Sequence, residues 1–411
     1  MNTSFFIARK LAFTQKKSFS SFIIRLALFA VSLSVCIMIL GTAITQGYQR
    51  VISHKFYDCW GHLHITNFLP DPSNLLNDEK MVYDEELMQQ VKKTQHVKCI
   101  FPYSIQSSIA KSPKEMEGIL LKGIQNQESL QYFSSYITQG KNIKFDNEKY
   151  SNEILISSTL ANTLGLSSGD ALMLYFLNKN EYQPKQRKVF ISGIFNTGLE
   201  DYDKLFAICD AKLIHSVNDD SSTVIQGYEI YLDDYKNAKI VENDLIQHTI
   251  QSPLEVYPLD QRFANVFSWL GLMKTNEIVI ITIMMIIAIM NIITVFLVLI
   301  MERTQMIGVL KSIGMANKSI MQIFLYSSLF VVGLGTLIGT CIAALLCIGQ
   351  SQFGWIHLPE ASYYIKEVPI YLKLSNVLLI DLGTIMICLL LLFIPLIIIR
   401  TISPSKALLF N

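Results

Sequence analysis

The sequence predicts an α-helical membrane protein with four transmembrane helices and a large α+β extracytoplasmic domain inserted between helices 1 and 2. Three observations lead there. The chain of 411 residues is 51% hydrophobic and only 16% charged, against about 45–50% and about 25% in soluble domains. The apolar excess is gathered into four runs, Phe22–Thr45, Ile278–Ile300, Ile320–Ile348 and Val377–Ile399. Each exceeds the roughly 20 residues a helix needs to cross about 30 Å of hydrocarbon. Between the first two runs lies a long stretch that alternates strand-like and helix-like patterns.

The first run is too long for a signal-peptide core and no small-residue cleavage site follows it, so it reads as a retained anchor. The segments before span 1, between spans 2 and 3, and after span 4 carry Arg9, Lys10, Lys16, Lys17, Arg25, Arg303, Lys311, Lys318, Arg400 and Lys406, with Glu302 their only acid. Basic flanks stay in the cytoplasm, which predicts both termini inside. The expected plan is a cytoplasmic segment 1–21, span 22–45, an outer domain 46–276 and span 277–301. A cytoplasmic connector 302–318, span 319–349, an outer loop 350–375, span 376–399 and a cytoplasmic tail 400–411 follow. The net charge of +1 averages over this polarity. No basic, aromatic-interleaved patch suggests nucleic acid.

In the outer domain, Gly61–Asn67, Lys98–Ala110, Met116–Gly123, Glu153–Ser157 and Tyr228–Leu232 read as strands, and Asp84–Thr94, Thr159–Leu164 and Asp234–His248 as helices. Leu164-Gly165-Leu166 followed by Ser167-Ser168-Gly169-Asp170 marks a helix end and a turn. Ala171–Leu177 and Arg187–Phe195 read as a hairpin whose polar connection, Asn178–Gln186, projects into solvent. Two lobes are expected, one of them β-rich over about 100–200. Gln46–Phe56 and Asp260–Glu277 continue the helical pattern of spans 1 and 2 outward, as two stalks.

Catalytic signatures are missing: no Walker A loop, HExxH, GxSxG or CxxC. His62-Leu63-His64 sets two imidazoles on one strand face, read as an exposed polar face with no third metal ligand. Glu200-Asp201 with Asp203 reads as a solvated loop. Cys59, Cys99 and Cys209 read as unpaired thiols. Asn291 and Asp381 stand out as polar groups within spans, with Asn291 placed to hydrogen-bond across a helix interface. Gly335 and Gly339 form a small-xxx-small pair that lets another helix approach closely.

The connector is the most informative segment. Met306, Val309, Leu310 and Ile313 fall at i, i+3, i+4 and i+7 and predict one apolar stripe on a short helix. Gly314 stops that helix, and Asn317 is placed to cap the next. Such a helix suits either the membrane surface or a groove on a cytoplasmic protein.

The run Glu302–Ile320, "ERTQMIGVLKSIGMANKSI", resembles the coupling segment of the FtsX/MacB/Lol-type permeases of ABC transporters. "KKSFSSFIIRLALFAVSLSVCIMILGTAITQGYQ", "LLKGI" followed by "ITQGK", "EILISSTLANTLGLSSGDAL", "VFISGIFNTGLEDYD" and "ISPSKAL" resemble the family in the same order, from about residue 5 to 410. The similarity is greatest to the lipoprotein-releasing permeases, LolC and LolE.

The resemblance implies a permease subunit with no enzymatic activity, in the inner membrane, coupled to a separate ABC ATPase that holds the ATP and Mg. Arg303, Met306, Ile307, Val309, Leu310, Ile313 and Gly314 would form the ATPase-coupling helix. A second permease copy or paralogue would complete the assembly, among membrane lipids. Lipoproteins would be lifted from the membrane and passed to a periplasmic carrier. The family's carrier-binding hairpin corresponds to Asn178–Gln186, which is shorter here, with Asn178, Tyr182 and Pro184 as candidate contacts. Two alternatives remain: a mechanotransmission or efflux permease acting on another periplasmic partner or small compound, and a membrane-anchored sensor without an ATPase.

Overall fold

A computed structural model describes residues 19–74, 79–146, 148–176, 183–221, 223–359, 363–395 and 397. The chain divides into two compact units. Of the described residues, one contains 19–49, 271–357 and those between 367 and 397; the other contains those within 50–270 and 358–366.

In the first unit, four helices are long and apolar enough to cross a membrane. Helix α1 runs Phe19–Trp60. The other three are named below in chain order. The first three of the four run past the apolar runs seen in the sequence because polar residues at their ends carry the helices on, whereas the fourth is described from Leu374 to Pro395.

The second unit is built on a ten-stranded sheet. Its strands are β1 (Leu63–Asn67), β3 (Val97–Lys111), β4 (Met116–Ile124), β5 (Ile137–Gly140), β6 (Glu153–Ser157), β7 (Ala171–Phe176), β8 (Lys185–Phe195), β9 (Phe206–Asp210), β11 (Gly227–Leu232) and β12 (Leu254–Pro258). β2 (Met81–Val82) and β10 (Val224–Ile225) pair separately. Six strands close on themselves in the order β3-β4-β9-β6-β8-β7 and back to β3. Closure removes the sheet edges and makes a small barrel filled by alternate side chains. Ile119 and Leu121 of β4, Ile154 and Ile156 of β6, Leu172, Leu174 and Phe176 of β7, Val189 and Ile191 of β8, and Ala207 and Cys209 of β9 form its core. Helices α3 (Ser158–Leu164) and α5 (Ala211–Asn218) pack into the same core.

The remaining path, β12-β1-β11-β3, carries a second core from Leu63, Ile65, Tyr228, Ile230 and Val256, covered by α2 (Glu85–Lys93) and α6 (Ala238–His248). The fifteen-residue β3 belongs to both parts. It pairs with β11 through Val97–Tyr103 and with β4 through Tyr103–Lys111. The two apolar cores therefore lie on one continuous sheet.

Several local expectations need correction. The hairpin connection ends at Pro184: Lys185 and Gln186 pair with Phe176 and Tyr175, and the Lys185 ammonium is held by the Val217 carbonyl at 2.8 Å and by Asp219 at 2.6 Å. Asn178 and Tyr182 lie outside the described residues. The helix expected from Asp234 starts at Ala238, after a 3-10 turn at Tyr235–Asn237. A further helix, α4 (Glu200–Leu205), and strand β9 stand where a solvated acidic loop was expected.

Back in the first unit, the helices are α7 (Ala264–Glu302), α8 (Thr304–Ser312), α9 (Asn317–Phe353) and α10 (Leu374–Leu391). Gly335 and Gly339 of α9 face α1. A Cβ on Gly335 would lie 2.9 Å from Val31 Cγ1, and one on Gly339 2.5 Å from the Ser32 carbonyl oxygen. Ser32 Oγ donates to the Gly335 carbonyl at 2.9 Å. The close approach is thus within this chain. Asp381 of α10 accepts from Thr340 Oγ1 of α9 at 2.9 Å. Asn291 is half-buried in α7, and the cross-helix hydrogen bond expected for it is not formed among the described residues. Near one end of the bundle, Asn376 donates to Gln46 at 2.5 Å and Gln46 to Glu277 at 3.4 Å, joining α10, α1 and α7.

Gly339→Ala should cost about 1–3 kcal/mol by overpacking, whereas Gly333→Ala, whose Cβ would meet nothing within 4 Å, should be near neutral. Thermal unfolding of the purified protein, with both variants side by side, checks this.

Candidate functional site

Two places combine unusual chemistry with a defined position in the fold. The first is the connector helix α8. It enters from Arg303, whose carbonyl accepts from the Ile307 amide at 3.0 Å. Thr304 Oγ1 donates to the Met301 carbonyl at 2.5 Å. At its other end Gly314 takes a left-handed φ of 89°. The Gly314 amide bonds to the Lys311 carbonyl and the Met315 amide to the Leu310 carbonyl, both at 3.0 Å. This is the paired closure of a Schellman motif. The next helix begins with Asn317 as its first residue and Ala316 as its cap, without a side-chain cap bond. Asn317 is therefore not the cap residue expected from the sequence.

The apolar stripe read from the sequence is divided by the packing. Ile307 and Gly308 are buried, and Met306, Ile307 and Leu310 join Leu299, Ile300, Ile320 and Phe324 in one cluster. Val309 and Ile313 point away and are 45% and 78% exposed. The inner face fixes the helix to its neighbouring spans, and the outer face carries free apolar groups beside Gln305 and Ser312. Arg303 and Lys311 are partly buried.

The second place lies in the other unit, where the last turn of α1, the residues before α7 and three strands meet. Lys122 on β4 is fully buried and pairs with buried Glu229 on β11 at 2.6 Å. Lys122 also donates to the Cys59 carbonyl at 2.5 Å and sits 4.2 Å from the Trp60 ring centre. β4 and β11 are not neighbours; β3 runs between them. The ion pair thus spans β3 at the junction of barrel and open sheet. Around it, the Trp60 ring packs edge-on to Phe206 at 5.0 Å and Tyr202 at 5.9 Å, and against Phe263 at 5.3 Å. Arg262 is also buried.

Burial pushes the Glu229 carboxyl above its ordinary range, and the Lys122 ammonium opposes that shift. Burial, followed by the positive charges of Arg262 and Lys122, holds His64 well below its ordinary value. His64 is therefore a neutral core residue touching the Tyr103 hydroxyl at 3.4 Å. The exposed histidine face expected from the sequence does not exist, because β1 is a central strand covered on both sides. His62 stacks on Tyr57 at 4.5 Å. Among the described residues no cluster of His, Cys, Asp and Glu could hold a metal, and all seven cysteines are free.

Asp203, expected in solvent, is buried beside this junction. It accepts from Thr197 Oγ1 at 2.7 Å and the Gly198 amide at 3.1 Å, and its backbone carbonyl accepts from Ser157. Burial outweighs these bonds and raises its carboxyl to about 6. The charged junction was legible in part: Lys122 interrupts the apolar run Ile119–Ile124, and Glu229 the run Tyr228–Leu232. One charge of each sign on two apolar strands is the signal. Phe206–Asp210 was masked by the acids before it.

With this geometry in view, the chain can be set beside known proteins. Residues 278–404 match the family described as FtsX-like permease C-terminal. That segment is similar to an FtsX-like permease domain, and the whole is a multi-pass membrane protein with an α+β domain inserted between its first two spans. The full length is similar to the lipoprotein-releasing system transmembrane protein LolC of Xylella fastidiosa, 20% identical over 91% of this chain and 90% of the relative. It is also similar to the corresponding LolE of Haemophilus influenzae, 21% identical over 86% and 84%. Among solved structures, the periplasmic region of MacB from Actinobacillus actinomycetemcomitans aligns at 12% identity with a TM-score of 0.35, covering 50% of this chain and 91% of that one.

Two outcomes follow from the junction. Lys122→Met strands Glu229 and should destabilise the protein by about 3–5 kcal/mol, whereas replacing both partners with apolar residues should recover most of that; urea unfolding followed by tryptophan fluorescence measures both. Asp203 has a native pKa raised above its unfolded value, so its contribution is fully present below about pH 4 and is lost as pH rises through about 6. Stability measured across that window should fall less steeply in Asp203→Asn.

Proposed function

We propose that this chain is the permease subunit of an inner-membrane ABC transporter that releases lipoproteins from the membrane to a periplasmic carrier. A separate cytoplasmic ATPase would bind ATP and Mg, and a second permease copy or paralogue would complete the complex. The observation that carries the coupling role is α8: a short helix fixed on one face and offering Val309 and Ile313 on the other, inside the FtsX-like permease domain. Apolar anchors on a helix fit a groove in a partner. The substrate reading rests on similarity along nearly the whole chain to proteins named for lipoprotein release.

In this mechanism the ATPase grips α8 from the cytoplasm. Because Ile307, Met306 and Leu310 lock α8 to α7 and α9, its displacement moves the spans rather than bending the connector. α1 ends in Cys59 and Trp60, and α7 is preceded by Arg262 and Phe263, so movement of either helix loads the Lys122–Glu229 junction. The periplasmic domain then moves as a body. No atom of the substrate needs to cross the bilayer.

The test uses the exposed face, since Leu310 is partly buried and its replacement would disturb packing. Val309→Glu with Ile313→Glu should abolish co-purification of the ATPase while leaving the unfolding midpoint unchanged. In cells depleted of the wild-type protein the variant should leave lipoproteins in the inner membrane. Retained ATPase binding would refute the coupling role; normal lipoprotein sorting after depletion would refute the substrate.

A further inference from the structure

The third long helix ends in an arrangement that the coupling function does not use. α9 closes at Phe353, and Gly354 turns the chain with a left-handed φ of 56°. The next residue, Trp355, folds back. Its ring lies so close to the helix that a Cβ on Gly349 would be 2.5 Å from it. Phe353 and Trp355 stack, with ring centres 5.8 Å apart and planes within 3°. Both are largely exposed, 68% and 60%, and Ile356 beside them 55%.

The position is fixed, not incidental. The Gln350 side chain accepts from the Ile356 amide at 3.0 Å and donates to the carbonyls of Ile356 at 3.2 Å and Val368 at 3.3 Å. Val368 in turn donates its amide to the Ile356 carbonyl at 3.2 Å. Two aromatic faces are thereby held in a defined place, and among the described residues of this unit nothing lies over them.

What covers them follows from where they stand. α9 has 37 residues, about 55 Å at 1.5 Å per residue, so it outruns about 30 Å of hydrocarbon. Its apolar run ends at Ile348. The Trp355 ring returns to the level of Gly349, one residue past that end. Ile342, Leu346, Gly349 and Phe353 are spaced i, i+4, i+7 and i+11 along one face. Ile342 and Leu346 are exposed on the span itself. The stripe that meets lipid therefore runs directly into the aromatic pair. Aromatic rings gather where hydrocarbon gives way to headgroups, and Trp does so because its apolar ring carries a polar N–H.

We propose that Phe353 and Trp355 form an anchor seated at the headgroup–acyl boundary of the leaflet on the side of the 354–373 loop, which rests on the reading of the four helices as membrane spans. The anchor fixes the depth of α9, and with it the height of the connector at the opposite end of the same helix.

Fluorescence in proteoliposomes tests this. The protein has three tryptophans, Trp60, Trp269 and Trp355, so the wild type minus Trp355→Phe isolates the emission of Trp355. That emission should be lost with phosphatidylcholine brominated near the headgroup end of its acyl chains, and persist with bromine at the chain ends. Leu337→Trp in the Trp355→Phe background reports on the span itself, since Leu337 is an exposed residue of α9; it should be quenched by bromine at the chain ends. Quenching of Leu337→Trp without quenching of Trp355 overturns the anchor alone, whereas no bromolipid quenching at either position overturns the spans. Quenching of Trp355 by aqueous acrylamide in place of bromolipid, or its protection from both, would mean water or a protein partner there and would also overturn the anchor.

Discussion

A single ammonium organises the large domain. Lys122 cannot remain charged and buried without compensation, and its compensation comes from three directions: the Glu229 carboxylate, the Cys59 carbonyl and the face of Trp60. Each comes from a different part of the chain. Because β3 lies between β4 and β11, the pair can form only if barrel and open sheet keep one relative twist. Because Cys59 and Trp60 close α1, it can form only if the last turn of that helix docks against β4 and β11. The charge thus converts three loosely specified placements into one. Apolar packing alone would fill the same volume but would tolerate sliding, since methyl groups have no required partner.

The fold was legible in the sequence wherever periodicity and composition were unambiguous. Glu153–Ser157 reads as a strand to the residue, and the four spans follow from length and hydropathy. Asp84 and Thr94 bracket α2 as its caps. Barrel closure was not legible, because it depends on β7 pairing with β3 across about sixty residues of chain, and no local pattern encodes such a pairing. β9 was missed because its five residues follow a cluster of acids that reads as loop. His64 was misread because a polar residue on a short alternating strand signals a solvent face only when the strand lies at an edge or one side is bare. Here β1 sits between β11 and β12.

The connector shows the limit of reading a stripe by spacing. Residues at i, i+3, i+4 and i+7 share about a third of a helix circumference, wide enough to face two environments. Met306 and Leu310 turn toward the spans while Val309 and Ile313 turn away. Ile307, outside the stripe, is the most buried side chain of the helix because it lies between α7 and α9. Sequence spacing locates an amphipathic helix, but which of its apolar residues are spent on the fold depends on neighbours that are distant in the chain.

That division bears on the coupling role proposed for α8. A connector packed on every side would have nothing to offer a partner, and one exposed on every side would bend before its spans moved. α8 avoids both, with a Schellman closure that fixes its end and an inner face shared with α7 and α9. The spans are stiffened in the same manner. Gly335 and Gly339 let α9 touch the α1 backbone, and the Gln46–Glu277–Asn376 chain ties α1, α7 and α10. At Gly339 helix meets helix backbone, whereas the Gln46–Glu277–Asn376 chain joins its helices through side-chain hydrogen bonds. Soft apolar contacts remain on the outward surfaces, where lipid can yield around them.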